Sequence, residues 1–219
     1  MDSSLYAKSE ILGNMEGQRE HWNDVYSENS AYFGTEPSPF CKLSLEYLKD
    51  KGCRDILELG PGQGRDSLAF VMNGYNLTGM DCSNVACGIL KERIPGMKVR
   101  LGDVREKLDL QPESFDVCYA HMVLIMDMTP GDLRRILKNV RSVLRKGGYM
   151  MFSVRNTQDP AFGKGVNTHH NVWVNNKGFA VNFFTEEEIL EYAQGYEVLD
   201  IKEFSEGEKK LISIILRKP

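Results

Sequence analysis

Five short apolar runs recur through the middle of the chain: Asp55–Leu59, Asn76–Asp81, Lys98–Leu101, Phe115–Tyr119 and Tyr149–Val154. Between them, apolar residues return every three or four positions. The runs have the length and composition of buried strands, and the stretches between them have the period of amphipathic helices. Helices are expected over Asp66–Met72, Asn84–Arg93 and Gly131–Arg145, the last opened by Thr129 and Pro130 in favoured starting positions. Another begins at Thr185, where Thr185-Glu-Glu-Glu188 forms a capping box ahead of Ile189 and Leu190. Strands alternating with helices imply a parallel, doubly wound α/β sheet. Two β-rich segments close the chain, Tyr196–Phe204 and Lys210–Arg217, joined by the hairpin-length Ser205–Glu208. Residues Arg155 to Phe184 carry little period of either kind. A stretch of that length in a compact domain reads as a loop over a site, here leaving the carboxyl end of the fifth strand.

The chemistry concentrates where the first strand ends. Glu58 is followed by glycines at alternate positions, Gly60, Gly62 and Gly64, and then by a helix. A turn with so few Cβ atoms lets a ligand rest on the main chain at the positive end of that helix. Asp81 follows Gly60 by 21 residues, at the carboxyl end of the second strand. In a βαβ unit an acid so placed can bind both ribose hydroxyls, which implies a nucleoside cofactor. A nicotinamide or flavin site wants glycine where Arg65 stands. The acid at Glu58 would repel a pyrophosphate but attract an ammonium or a sulfonium.

The pattern Glu58-x-Gly60-x-Gly62-x-Gly64 resembles the first motif of the class I S-adenosylmethionine-dependent methyltransferases. Gly102-Asp103-Val104, Phe115-Asp-Val-Cys-Tyr119 and Leu144-Arg-Lys-Gly-Gly-Tyr-Met-Met-Phe-Ser-Val154 follow in the order that family uses. The resemblance implies a doubly wound, mostly parallel seven-stranded Rossmann-like sheet with an antiparallel last strand, and S-adenosyl-L-methionine as cofactor. It implies that Glu58, Gly60, Gly62, Gly64, Asp81 and Cys82 hold the cofactor, with Asp103 and Val104 at the adenine and Ala120 at the end of the fourth strand. Trp22…Tyr26…Tyr32-Phe-Gly-Thr-Glu-Pro-Ser-Pro-Phe40, Gly163-Lys-Gly165 and Phe183-Phe-Thr-Glu-Glu-Glu188 resemble the tellurite-resistance and thiol methyltransferase branch. Residues 1–40 then form an aromatic, helical cap and 41–219 the methyltransferase domain, with a substrate-side loop at 155–184. Trp22 and Tyr26 are one helical turn apart, so their rings can face a sulfonium together or simply pack the cap.

Composition narrows the partner. The net charge of −4, with basic residues dispersed, argues against a nucleic acid held through its phosphates. His121 stands where amino-methylating nucleic-acid enzymes carry an Asp/Asn-Pro-Pro-aromatic motif, and here the residues are Ala120-His-Met-Val123. No apolar run is long enough to span a bilayer, and Met1–Gly17 lacks the apolar core of a signal peptide, so a cytoplasmic protein without a membrane partner is expected. The 5 cysteines include no C-x-x-C pair, and no cluster has metal spacing, so no metal is expected.

The expected substrate is a small molecule. A soft nucleophile such as a thiol or a tellurium or selenium oxyanion needs no strong base, because positioning and desolvation supply most of the catalysis. Arg155, His169 and His170 are the candidate catalytic residues, with Lys164 and His121 as further groups able to steer an anion or take a proton. A nitrogen or oxygen atom of a small metabolite is the alternative acceptor. A module that binds the cofactor without turnover is the alternative from another class.

Overall fold

The computed structural model describes residues 15–219. The expectation for the leader Met1–Gly17 falls mostly on residues outside that range. Two helices open the described part, α1 (Met15–Glu28) and α2 (Pro39–Leu48). The βαβ core follows as β1 (Asp55–Leu59), α3 (Arg65–Met72), β2 (Asn76–Asp81), α4 (Asn84–Arg93), β3 (Lys98–Leu101) and β4 (Phe115–His121). Next come α5 (Pro130–Val143), β5 (Leu144–Asn156), β6 (Val166–His169), β7 (Val172–Val174) and β8 (Ala180–Phe184). The chain closes with α6 (Glu186–Tyr192), β9 (Glu197–Glu206) and β10 (Lys209–Arg217).

Strands β3-β2-β1-β4-β5 lie side by side and parallel. β10 runs antiparallel along β5, and β9 antiparallel along β10. These seven strands are the sheet the resemblance implies, antiparallel last strand included. Helices cover both faces. Phe40, Phe70, Leu90 and Tyr119 anchor one core cluster; Leu133, Ile136, Val140, Phe152 and Ile189 anchor part of the other.

Local rules set the helix ends. Ser38 caps α2 through its Oγ on the Cys41 N–H, and Thr129 and Thr185 cap α5 and α6 in reciprocal boxes with Asp132 and Glu188. Each cap stabilises its helix by about 1 kcal/mol. α5 stops at Val143, two residues earlier than its pattern suggested, because β5 is 13 residues long and takes in Gly147 and Gly148. The pairing slips there between Phe115/Leu144 and Val117/Tyr149, so these glycines form a strand irregularity and not a helix stop. The closing hairpin is also tighter than expected, since Glu206 pairs with Lys209 and leaves only Gly207 and Glu208 to turn.

The segment 155–184 departs most from expectation. It is a small antiparallel meander, β6-β7-β8, and not an irregular loop. Its strands are 4, 3 and 5 residues long, too short for alternation to register along the sequence. β4 leaves the edge of β5 at Ser153, and β8 takes the same edge two residues later, pairing Phe183 with Arg155 while Leu211 of β10 holds the other side. The Asn182 N–H donates to the Ile125 carbonyl at 2.7 Å, tying β8 to the loop that follows β4. The meander thus stands directly beyond the carboxyl end of β4.

Candidate active site

A cleft of about 440 Å³ opens at the carboxyl edge of the parallel strands, where ligands bind in open α/β sheets. Its volume lies within the range of small-ligand sites, roughly 300–1,000 Å³. One wall comes from the ends of β1, β2 and β3. Gly60 and Gly62 both have left-handed backbones, with φ of 60° and 55°. A Cβ on Gly60 would lie 2.5 Å from Val123, and one on Gly62 would lie 2.4 Å from the Tyr26 hydroxyl. The main chain is bare there because neighbouring side chains occupy the space.

Four carboxylates line the cleft: Asp81, Glu58 and Asp103 at the strand ends, and Asp66 of α3, which accepts from Ser38 and Tyr119. Asp81 accepts the Gly62 N–H on Oδ2 and the Ser83 N–H on Oδ1, each at 2.9 Å. Burial pushes its pKa up, against the opposing pull of those backbone donors. Glu58 is 3% exposed and accepts the Ser67 hydroxyl at 2.6 Å. Burial raises its pKa to about 8, so the carboxyl holds its proton near neutrality until a cation arrives. Asp103 is gripped by its neighbour Arg105, Nη2 to Oδ2 at 2.7 Å. Cys82 and Val104 complete this wall. Burial lifts the Cys82 thiol to about 12, which rules it out as a thiolate.

The opposite wall comes from α1, the loop after β4 and the β7–β8 turn. Trp22 stacks on Tyr26 with centroids 5.6 Å apart, and its edge meets Phe179 of that turn at 5.7 Å. Asn23 ties α1 to the start of α4 by accepting the Ser83 hydroxyl at 2.7 Å. Met122, Ile125, Met126, Met128 and Val181 make the floor below Phe179 apolar. Met122 itself has φ of 55°, a left-handed conformation that costs a non-glycine residue on the order of 1–3 kcal/mol.

Of the residues expected to hold a cofactor, Trp22, Tyr26, Glu58, Gly60, Gly62, Asp81, Cys82, Asp103 and Val104 line this one cleft. Two do not. Gly64 faces away, and a Cβ there would strike Leu90 at 2.6 Å, so it serves the contact between the α3 start and α4. Ala120 is fully buried inside β4.

The catalytic candidates need more correction. Arg155 lines the cleft, but its Nε donates to Asp159 at 2.9 Å and its guanidinium lies over the Phe183 ring. Its charge is therefore neutralised by a buried carboxylate. His169 and His170 lie outside the cleft, at a separate crevice beside α6. The β6–β7 turn, with His170 at φ of 44°, directs them there. His170 pairs with Glu188, and His169 stands 3.6 Å from Asp127. Lys164 is exposed and away from the cleft. His121 does line it, yet Nδ1 meets Ser153 Oγ at 2.6 Å and Nε2 meets Glu206 at 2.9 Å. Glu206 also bonds Arg65, and the hydrogen bonds and electrostatic pull of His121 and Arg65 hold its carboxyl at about 2 despite burial.

Sequence reasoning singled out none of His21, Phe33, Phe179, Lys177 and Lys209, all lining the cleft, although all but Lys209 fall in the segments expected on the substrate side. The one available signal was the aromatic density of His21-Trp22 and Tyr32-Phe33. Nothing local marked the turn residues.

Residues 56–148 match the methyltransferase domain family. Residues 56–148 are thus a methyltransferase domain. This domain class uses S-adenosylmethionine, and the bare glycine turn with Asp81 and Glu58 around it suits a nucleoside that ends in a sulfonium amino acid. An uncharacterised methyltransferase of Synechocystis sp. is 30% identical over 109 residues, a match covering half of each chain. The chain thus spans about half the length of that curated relative. The methyltransferase domain also shares its fold with TehB from Haemophilus influenzae, at TM-score 0.64 and 21% identity, over 90% of this chain and 67% of that one. A second likeness is the 1,6-didemethyltoxoflavin-N1-methyltransferase of Burkholderia thailandensis, solved with 1,6-didemethyltoxoflavin and S-adenosylhomocysteine. There the TM-score is 0.65 at 17% identity, over 99% of this chain and 88% of that one.

Proposed function

We propose that the protein transfers the methyl group of S-adenosylmethionine to a small-molecule soft nucleophile, a thiol or a reduced tellurium or selenium oxyanion. The observation that carries this reading is the division of one cleft into two chemically different walls. Glu58, Asp81 and Asp103 give the β1–β3 wall its carboxyl groups, suited to the ribose, the adenine amino group and the cationic amino acid end. Methionines, aromatic faces and Lys177 give the other wall a soft, weakly positive character suited to a polarisable anion, and Lys209 at the start of β10 lines the same cleft. Neither lysine side chain has an ion-pair partner among the described residues.

When bound, the cofactor supplies an electrophilic methyl on a sulfonium. The chain's own residues bind its nucleoside, orient the methyl toward the second wall and exclude water under α1. Fold likeness to TehB supports the soft-nucleophile branch. Likeness to an N1-methyltransferase supports the second reading, a nitrogen atom of a small metabolite. The proposed compartment is the cytoplasm, supported by five cysteines that form no disulfide; among the described residues no helix is long and apolar enough to cross a membrane.

The test is incubation of the protein and S-adenosylmethionine with a panel of thiols, metalloid oxyanions and amines, followed by product mass. Release of S-adenosylhomocysteine with methylated thiol or oxyanion is the expected result. Tight cofactor binding with no product from any acceptor would leave a binding module instead.

A further inference from the structure

We infer that His21 is the group that takes the acceptor's proton, and that the acceptor is protic with an apolar body, such as a thiol. This rests on the transferase reading above and narrows its substrate class. His21 lies on α1 one residue before Trp22 and lines the wall opposite the carboxylates. Its ring stacks on Phe179 at 5.0 Å with a 30° tilt and meets the edge of Trp22 at 5.2 Å. Neither ring nitrogen has a hydrogen-bond partner among the described residues. Every other histidine is accounted for. His121 has both nitrogens engaged, and His169 and His170 lie at a different crevice.

The remaining ionisable side chains of the cleft are poor acceptors for a proton arriving at the apolar floor. Asp81 and Glu58 accept from Gly62, Ser83 and Ser67, Asp66 accepts from Ser38 and Tyr119, Asp103 is gripped by Arg105, and burial holds the Tyr26 and Cys82 protons on. Lysines and arginines are already protonated. His21 is half-buried, and that burial lowers its pKa, so the ring is neutral and carries a lone pair at neutral pH. Asp24 on its own helix raises the value slightly and Lys177 of the facing turn lines the same cleft. The floor beneath is Met126, Met128, Ile125 and Val181. A thiol with an apolar body buries more of itself against such a surface than a small hydrated oxyanion does.

The step balances as follows. The S–H bond of the acceptor breaks and its proton passes to a His21 ring nitrogen. The sulfur lone pair forms the new bond to the methyl carbon, as the carbon–sulfonium bond breaks and its electron pair stays on the cofactor sulfur. The products are a thioether, S-adenosylhomocysteine and an imidazolium that returns its proton to solvent.

The experiment compares wild type, His21→Gln and His21→Phe on thiols of graded acidity. His21→Phe keeps a ring to stack on Phe179, so it separates packing from proton transfer. With alkyl thiols, kcat/KM should fall on the order of 10²-fold in both variants, as for loss of a general base. With aryl thiols already ionised at the assay pH, the fall should stay under about threefold, because no proton remains to be moved. A second readout needs no turnover: in the S-adenosylhomocysteine complex, the His21 ring-proton resonance should shift when an alkyl thiol is added. An equal loss on all thiols, no loss, or no resonance shift overturns the assignment. Wild-type turnover would persist in each of those cases, whereas absence of wild-type turnover on every acceptor would overturn the transferase reading itself.

Discussion

The two walls of the cleft are built by different means. On the β1–β3 wall every functional group sits at a strand end or in a glycine turn, so backbone geometry alone brings Glu58, Gly60, Gly62 and Asp81 together. On the opposite wall, α1 meets the β7–β8 turn through side-chain contacts such as Trp22–Phe179 and His21–Phe179, and one backbone hydrogen bond, Asn182 to Ile125, ties β8 to the β4–α5 loop. The first wall is set by the sheet itself. The second is assembled by packing. Parallel-sheet edges position chemistry by topology; assembled surfaces position it by packing.

Substitutions can break this contrast, beginning with the largest effect. Gly62→Val should abolish measurable cofactor binding, a loss beyond roughly 100-fold, because a Cβ there meets the Tyr26 hydroxyl and the backbone is left-handed. Stability should fall as well, by about 1–3 kcal/mol. Calorimetric titration beside thermal melts separates the two, and a folded variant with normal affinity would refute the close approach. Asp81→Ala should weaken binding by about 1–3 kcal/mol through loss of charge-assisted bonds to ribose. It also strips the Gly62 and Ser83 N–H groups of their acceptor. Equal affinity to wild type would remove Asp81 from the ribose.

Glu58 should reveal itself through pH. Its pKa in the folded chain is about 8 against an ordinary 4.5, so the folded state holds a proton that the unfolded state has released between those values. Stability of the ligand-free protein should therefore fall as pH climbs through that window. Cofactor binding works the other way, since a sulfonium and an ammonium favour the ionised carboxylate. Affinity should rise about tenfold between roughly pH 6 and pH 7.5, with proton release visible in buffers of different ionisation enthalpy. Glu58→Gln should flatten both trends. The smallest effect belongs to the outlying pair: His169→Ala/His170→Ala should change kcat and KM by less than about twofold and stability by no more than about 1 kcal/mol, the scale of exposed ion pairs. A large fall in turnover would bring the crevice beside α6 back into the mechanism.

Legibility in the sequence followed the same division. Gly60, Gly62 and Asp81 were readable because their spacing is dictated by one strand–turn–helix–strand unit. The seven-stranded frame was readable because β1, β4, β5 and β10 carry apolar runs and the more polar strands fall between helical patterns or beside the closing turn. Gly64 was misread because alternate glycines look alike in sequence, although one of them faces α4. The meander was not readable, since strands of three to five residues gain their order from β5 and the β4–α5 loop. For the same reason His169 and His170 looked like part of a lid. His21 was passed over because its significance lies in a contact with Phe179, far away in the chain.

The handover at the edge of β5, where β8 continues the line that β4 gives up, has an evolutionary consequence. Only two residue pairs graft the meander onto the main sheet. Insertions or exchanges between Asn156 and Thr185 would therefore redraw one side of the cleft without touching the ends of β1, β2 and β3. Such a chassis would let sequence change replace one side of the cleft as a cassette of about thirty residues while the strand ends opposite stay in place.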